Sequence, residues 1–260
     1  MISVKDIHLH FGGIRAVDGV SIEIETGTIT GLIGPNGAGK TTLFNVIAGL
    51  YKPTFGHIFL DGEDITGLQP YQLFQKGLLR TFQIAHEFFS LTVRENLMMV
   101  PPNQKGEKLI NTWLRRDLVR KQESLIAAKA NEVLDFLQLQ SVADEFAGNL
   151  SGGQKKLLEL GRTMMVDAKM VFLDEVGAGV NRTLLDSVSD AIIRLNRERN
   201  YTFCMIEHDM DLISKLCDPV IVMAEGRILT KGTVHEVKNN EAVIEAYLGP
   251  GIKNSISMEN

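Results

Sequence analysis

Over the first thirty residues, hydrophobic and polar positions alternate with a period of two. Ile2, Val4, Ile7 and Leu9 are set among polar neighbours, and Val20, Ile22 and Ile24 repeat the pattern. Successive side chains of a strand face opposite sides, so this spacing predicts half-buried strands. Turns at Gly12-Gly13 and Glu25-Thr26-Gly27 are expected to pair them into a small antiparallel layer. Residues 28–33 form a more continuous apolar run, expected to be a fully buried strand, and 42–48 read as a helix. Further apolar runs at 169–173, 201–206 and 219–223 alternate with helical patterns at about 182–198 and 209–217. That βαβ rhythm implies a parallel sheet. A hairpin around Glu225-Gly226 and short helices between Val234 and Leu248 follow, and 251–260 read as a flexible tail.

The middle of the chain has a different period. After Pro101-Pro102, the residues Leu118, Leu125, Ile126, Val133, Phe136 and Leu137 recur near helical spacing. Another helix is predicted from Gln154 to about Val166. It contains Gly161, at a cost of ~0.8–1 kcal/mol relative to Ala, and close packing on a neighbouring strand would account for it. Phe88 and Phe89 are adjacent, so on a strand one of them would be exposed unless a partner covered it. The expected class is α/β: a mixed, largely parallel sheet, an N-terminal antiparallel β layer, and a helical subdomain at about 84–150. All of this lies in a single domain spanning 1–250.

Length and charge narrow the function. The 260 residues suit one large domain with a subdomain. A net charge of −5 argues against nucleic acid as a partner. No apolar run reaches the ~18 residues that a membrane span needs, and the opening Met1–Asp6 alternation does not read as a signal peptide. Cys204 and Cys217 sit in apolar surroundings and read as reduced core residues. Arg115-Arg116 and Arg120-Lys121 lie beside Trp113 and Leu114; they form either a solvated helix face or a contact with lipid headgroups.

The chemistry is concentrated in Gly34-Pro35-Asn36-Gly37-Ala38-Gly39-Lys40-Thr41, which has the spacing G-x-x-x-x-G-K-[ST] between an expected strand and an expected helix. Glycines let backbone N–H groups converge on phosphate oxygens, and the following helix N-terminus adds partial positive charge. Lys40 is placed to reach the β- and γ-phosphates of a nucleotide, and the Thr41 hydroxyl to ligate Mg²⁺, with Thr42 next in the cradle. A glycine-rich turn that binds nothing is the plain alternative, and the flanking elements argue against it.

Leu150-Ser151-Gly152-Gly153-Gln154 resembles the signature motif of ABC-type ATPases, and the remaining motifs of that family follow in order. Met170–Glu175 is similar to a Walker B strand, Gln83 to the Q-loop glutamine, Ala178-Gly179-Val180-Asn181 to the D-loop, and His208 to the switch histidine. The resemblance implies a P-loop NTPase core in which Asp174 holds Mg²⁺ and Glu175 is the general base. Gln83 then senses metal and water, His208 contacts the γ-phosphate, and Phe11 stacks on adenine. It also implies that Ser151 and Gly153, with Gly152 and Gln154 beside them, meet the γ-phosphate held by an opposite subunit. A second ATPase, identical or paralogous, is therefore expected. Val176 departs from the proline common after the glutamate, which puts the stiffness of the D-loop in doubt.

His10–Val17, the long insert between Gln83 and Leu150, and the ending Glu245-Ala246-Tyr247-Leu248-Gly249 resemble ATPase subunits of bacterial importers for branched-chain and other hydrophobic amino acids. That likeness implies a peripheral protein on the cytoplasmic face of the membrane. Its expected partners are two transmembrane permease subunits and, indirectly, an external substrate-binding protein. The apolar Phe88-Phe89-Leu91 patch is the expected seat of a short helix from a membrane subunit. A urea importer ATPase shares parts of the pattern. A non-transport ABC ATPase of translation or DNA repair is the alternative of a different class.

Overall fold

The computed structural model describes residues 1–81, 87–166, 168–178 and 181–248. In chain order its elements begin with β1 (Ile2–Phe11), β2 (Ile14–Ile24), β3 (Ile29–Ile33), α1 (Lys40–Ile47), β4 (Phe55–Leu60), β5 (Glu63–Asp64), α2 (Pro70–Gln75) and β6 (Leu78–Arg80). The helices α3 (Val93–Met98), α4 (Leu109–Leu114), α5 (Arg116–Phe136) and α6 (Gly152–Met164) follow. The chain continues through β7 (Met170–Asp174), α7 (Arg182–Arg199), β8 (Thr202–Ile206), α8 (Met210–Leu216), β9 (Val220–Ala224), β10 (Arg227–Gly232), α9 (Val234–Lys238) and α10 (Glu241–Leu248). It divides into two compact units. The first gathers Met1–Arg80, Lys169–Gly177 and the chain from Ile193 onward; the second gathers Thr81–Ala168 and Ala178–Ile192.

The first unit holds both sheets. One has the strand order β2-β1-β4-β5, and the other β10-β9-β3-β8-β7-β6. In the second sheet β3, β6, β7, β8 and β9 run parallel, with β10 antiparallel at the edge. Every residue of β3, β7 and β8 is buried. These strands are covered on both faces, which is why their sequences are continuous apolar runs. The turn at Gly12-Gly13 pairs β1 with β2 as expected. The turn at 25–27 does not extend that layer: β3 leaves for the parallel sheet, and the other neighbour of β1 is β4. The core joins Ile2, Val4 and Ile22 from the small sheet to Leu32, Phe172, Ile206 and Ile221 from the large one, with Leu43 and Phe44 of α1 among them. The Phe44 and Phe172 rings meet edge to face at 4.8 Å.

Cys204 and Cys217 are buried free thiols of this unit. Burial pushes the Cys217 thiol up to about 12 and the Cys204 thiol higher still. Only the thiolate is nucleophilic. Neither thiol is therefore expected to react with iodoacetamide in the folded protein, whereas both react in guanidinium. Mass spectrometry before and after unfolding checks this; rapid native labelling of either thiol would contradict the burial.

In the second unit α5 buries Val119, Ile126, Ala130, Val133 and Leu134. Leu118 and Leu125, expected on that face, are exposed instead. Gly161 is explained by helices rather than a strand. A Cβ there would lie 2.8 Å from Leu137 Cδ1 and 3.1 Å from Leu97 and Val133 methyls, so α6 approaches α3 and α5 at this point. The expected helical subdomain at 84–150 falls inside this unit, which also takes in α6 and the start of α7. The tail at 251–260 lies outside the described residues. Among the described residues no helix is long and apolar enough to cross a membrane.

Candidate active site

Three neighbouring strands, β3, β8 and β7, end at the same edge of the parallel sheet, where α/β folds place their ligand sites. From β3 the chain enters the loop Gly34–Gly39 and then α1. Gly34 has φ +150°, and a Cβ would lie 2.1 Å from the Met223 carbonyl oxygen. Gly39, the N-cap of α1, has φ +95°, and a Cβ there would lie 2.5 Å from the Ala16 carbonyl oxygen. Both positions admit only glycine, which lets this loop fold tightly against β9 and β2. No side chain caps α1, so its first N–H groups are left to an anion.

The loop lines a cleft of about 440 Å³ together with Ile14, Arg15, Ala16, Glu175, His208 and Glu225. Asn36, Gly37, Ala38, Gly39, Lys40, Thr41 and Thr42 all border it. The Lys40 ammonium donates to the carbonyls of Gly34 at 2.7 Å and Pro35 at 3.0 Å. Desolvation holds it below the usual lysine range, opposed by the charges of Glu175 and Asp174. A buried cation set among turned backbone amides fits a nucleotide's phosphates.

Asp174 is buried at the end of β7. Its Oδ2 accepts from Arg80 Nη2 at 2.7 Å, and Arg80 Nη1 donates to Asn45 Oδ1 on α1. Glu175 follows with φ +51°, a left-handed conformation uncommon for a residue with a side chain, which occurs at functional sites. Its N–H donates to the Ile206 carbonyl at 3.0 Å, and its Oε1 lies 3.2 Å from His208 Nε2. The expected base and switch histidine are thus brought together across β7 and β8.

Sequence reasoning passed over several residues here. Glu207 is buried; its Oε1 accepts from the Gly177 N–H at 2.8 Å and its Oε2 from the His208 N–H at 3.3 Å. One carboxylate therefore ties the turn after Glu175 to the turn carrying His208. Burial pushes its pKa up, and those two backbone donors oppose the rise. Arg80 was likewise unassigned, although a charged residue ending an apolar strand was a usable signal. Gly226 donates to the Ala38 carbonyl at 3.0 Å, so the β9–β10 hairpin braces the loop. Burial raises the Tyr247 phenol on α10, opposed by a hydrogen bond from the Gly34 backbone.

Phe11 belongs to the same unit as the cleft but does not line it. Half exposed at the end of β1, it meets Tyr51 edge to face at 5.5 Å. Gln83, and Gly179 and Val180 of the D-loop, lie outside the described residues. Val176 is buried. Ser151 is the N-cap of α6, in a reciprocal capping box with Gln154, and Gly152 opens the helix. A Cβ on Gly153 would lie 2.5 Å from Leu184 Cβ, so glycine here allows α6 to abut α7. Phe88 and Phe89 occupy a turn rather than a strand, and both are exposed. The buried Asn96 side chain holds the Phe88 backbone through its N–H at 2.9 Å and carbonyl at 3.1 Å. Arg162 and Lys155 of α6 lie over the two rings.

The profile of the family described as ABC transporter matches residues 17–178. A second, described as branched-chain amino acid ATP-binding cassette transporter, matches 227–249. A probable branched-chain amino acid transport ATP-binding protein LivG from Archaeoglobus fulgidus is 39% identical over 249 residues, covering 96% of this chain and 95% of that protein. The high-affinity branched-chain amino acid transport ATP-binding protein BraF of Pseudomonas aeruginosa is 37% identical, covering 96% and 98%. Among solved structures, an ATP-binding cassette of an ABC transporter in its ADP conformation superposes with a TM-score of 0.82. It is 36% identical, with 96% of this chain and 98% of that one covered.

Proposed function

The chain belongs to the ABC transporter ATP-binding family, and from that premise we propose that it is the ATP-hydrolysing subunit of an importer for branched-chain or other neutral amino acids. The observation that carries the catalytic part is the convergence of Lys40, Asp174, Glu175 and His208 on one sheet edge. ATP lays its phosphates on the Gly34–Thr42 loop, with Lys40 against the β- and γ-phosphates. Phe11, exposed and already edge-on to Tyr51, offers a face to adenine. Thr41 and Asp174, whose Oδ2 is taken by Arg80 so that Oδ1 is left, would hold Mg²⁺, with Gln83 as a third donor by motif alone. When bound, that ion would supply charge neutralisation to the phosphoryl oxygens. Glu175 takes the proton of the attacking water, and His208 holds the Glu175 carboxylate in place.

Ser151, Gly152, Gly153 and Gln154 complete the site of a second ATPase subunit, identical or paralogous, placed head to tail. The Phe88-Phe89 turn receives a helix of a transmembrane permease. The assembly sits on the cytoplasmic face of the membrane, with a substrate-binding protein outside and no nucleic acid. The two relatives named for branched-chain amino acid transport and the match at 227–249 support the amino-acid cargo over urea, translation or repair.

The test is uptake of labelled leucine, alanine, proline and urea in cells with and without the protein. Loss of leucine or other neutral amino-acid uptake is the expected result. Loss of urea uptake alone would reassign the cargo and leave the ATPase standing; loss of neither would remove the transport reading.

A further inference from the structure

We propose that α4 and the start of α5 form a docking surface for an anionic phospholipid bilayer. Leu109, Ile110, Trp113 and Leu114 recur at i, i+1, i+4 and i+5, which places them on one stripe of α4. They are 88%, 71%, 77% and 71% exposed. The polar residues of α4 bond back to the preceding turn, Asn111 Nδ2 to the Lys105 carbonyl at 3.1 Å and Thr112 Oγ1 to the Gly106 carbonyl at 3.0 Å. The preceding segment is itself tied to α5, where Gln122 Oε1 accepts from the Lys105 N–H at 2.6 Å. The apolar stripe is thereby held outward by ordered contacts, while α5 anchors the segment through Val119 and Ile126. Leu118 and Leu125, seven residues apart and both exposed, add apolar surface along α5.

Charge selects the occupant. Between 105 and 123, Lys105, Lys108, Arg115, Arg116, Arg120 and Lys121 outnumber Glu107, Asp117 and Glu123, in a chain whose net charge is −5. All six cations are exposed, and among the described residues none is held in an ion pair. The same face of a second copy would repel this cluster, whereas a layer of phosphate headgroups attracts it. An apolar stripe with a tryptophan and a basic rim is the chemistry of a helix lying in a membrane interface. The surface is independent of the cargo, so its failure and that of the importer reading are read in separate assays.

Trp113 is the chain's single tryptophan, and its emission reports on this stripe alone. The full chain would be mixed with phosphatidylcholine vesicles, either pure or containing about one-third phosphatidylglycerol, and followed by emission and co-sedimentation. The expected result is a blue shift and binding on the anionic vesicles, at least ~10-fold weaker on the neutral ones, and weakened by salt. R115E/R116E is expected to lower anionic binding by ~10-fold or more. L109S/I110S is expected to lower it while leaving ATP turnover and thermal unfolding unchanged. Absence of any shift on anionic vesicles, or undiminished binding by R115E/R116E, would overturn the proposal. So would a blue shift that rises with protein concentration without lipid, which would assign the stripe to a second copy. Burial of Trp113 only on adding membrane subunits, with no vesicle binding, would assign it to a protein partner.

Discussion

Glu175→Gln is expected to lower steady-state ATP turnover by about 10²–10⁴-fold, the range a positioned general base supplies. The amide matches the carboxylate in shape but cannot accept the proton of the attacking water. Its backbone conformation, with φ +51° and the N–H on the Ile206 carbonyl, is no harder for glutamine than for glutamate. Folding and ATP binding should therefore persist, because the loop and Lys40 that hold the phosphates are untouched. With hydrolysis stopped, ATP should keep two subunits together. Phosphate release and size-exclusion chromatography with and without ATP read the two effects. Turnover within a few-fold of the wild type would place the base elsewhere, whatever the 3.2 Å contact to His208 suggests.

The parts of this site that the sequence disclosed are those whose requirements are local. A phosphate loop needs a buried strand before it and a helix after it, and Ile29–Ile47 carry both signals within twenty residues. Asp174 and Glu175 were legible because a continuous apolar run ends on them. Arg80 ends an apolar strand, but its partner is 94 residues away, and only the pairing of β6 with β7 discloses it. Glu207 was hidden in the same way, since its Oε1 accepts from Gly177, thirty residues earlier. On α5, Ile126, Val133 and Phe136 are buried as expected, and only Leu118 and Leu125 were misplaced. Leu118-Val119 and Leu125-Ile126 are adjacent apolar pairs, and periodicity alone cannot say which member of each faces inward. The turn at 25–27 misled because its chemistry fixes a reversal of the chain and not the sheet that the next strand joins.

Arg80→Ala is expected to destabilise the protein by about 3–5 kcal/mol, the usual consequence of removing one partner of a buried ion pair. The Arg80 and Asp174 side chains are 9% and 5% exposed, so water cannot take over solvation of the orphaned carboxylate. The loss is large against a typical total stability of about 5–15 kcal/mol. Arg80 also bridges Asp174 to Asn45, joining the end of β7 to the helix that follows the phosphate loop. Lysine keeps the charge but lacks the fork, so Arg80→Lys should fall between the wild type and the alanine variant. Urea unfolding of R80A, D174N and the double variant separates the pair from simple packing. If the buried charge is the cause, D174N in the R80A background should recover part of the stability, giving a coupling energy of about 0.5–3 kcal/mol. Additive losses, or an R80A variant within about 0.5 kcal/mol of the wild type, would mean that β7 alone positions Asp174 and that the guanidinium merely sits beside it.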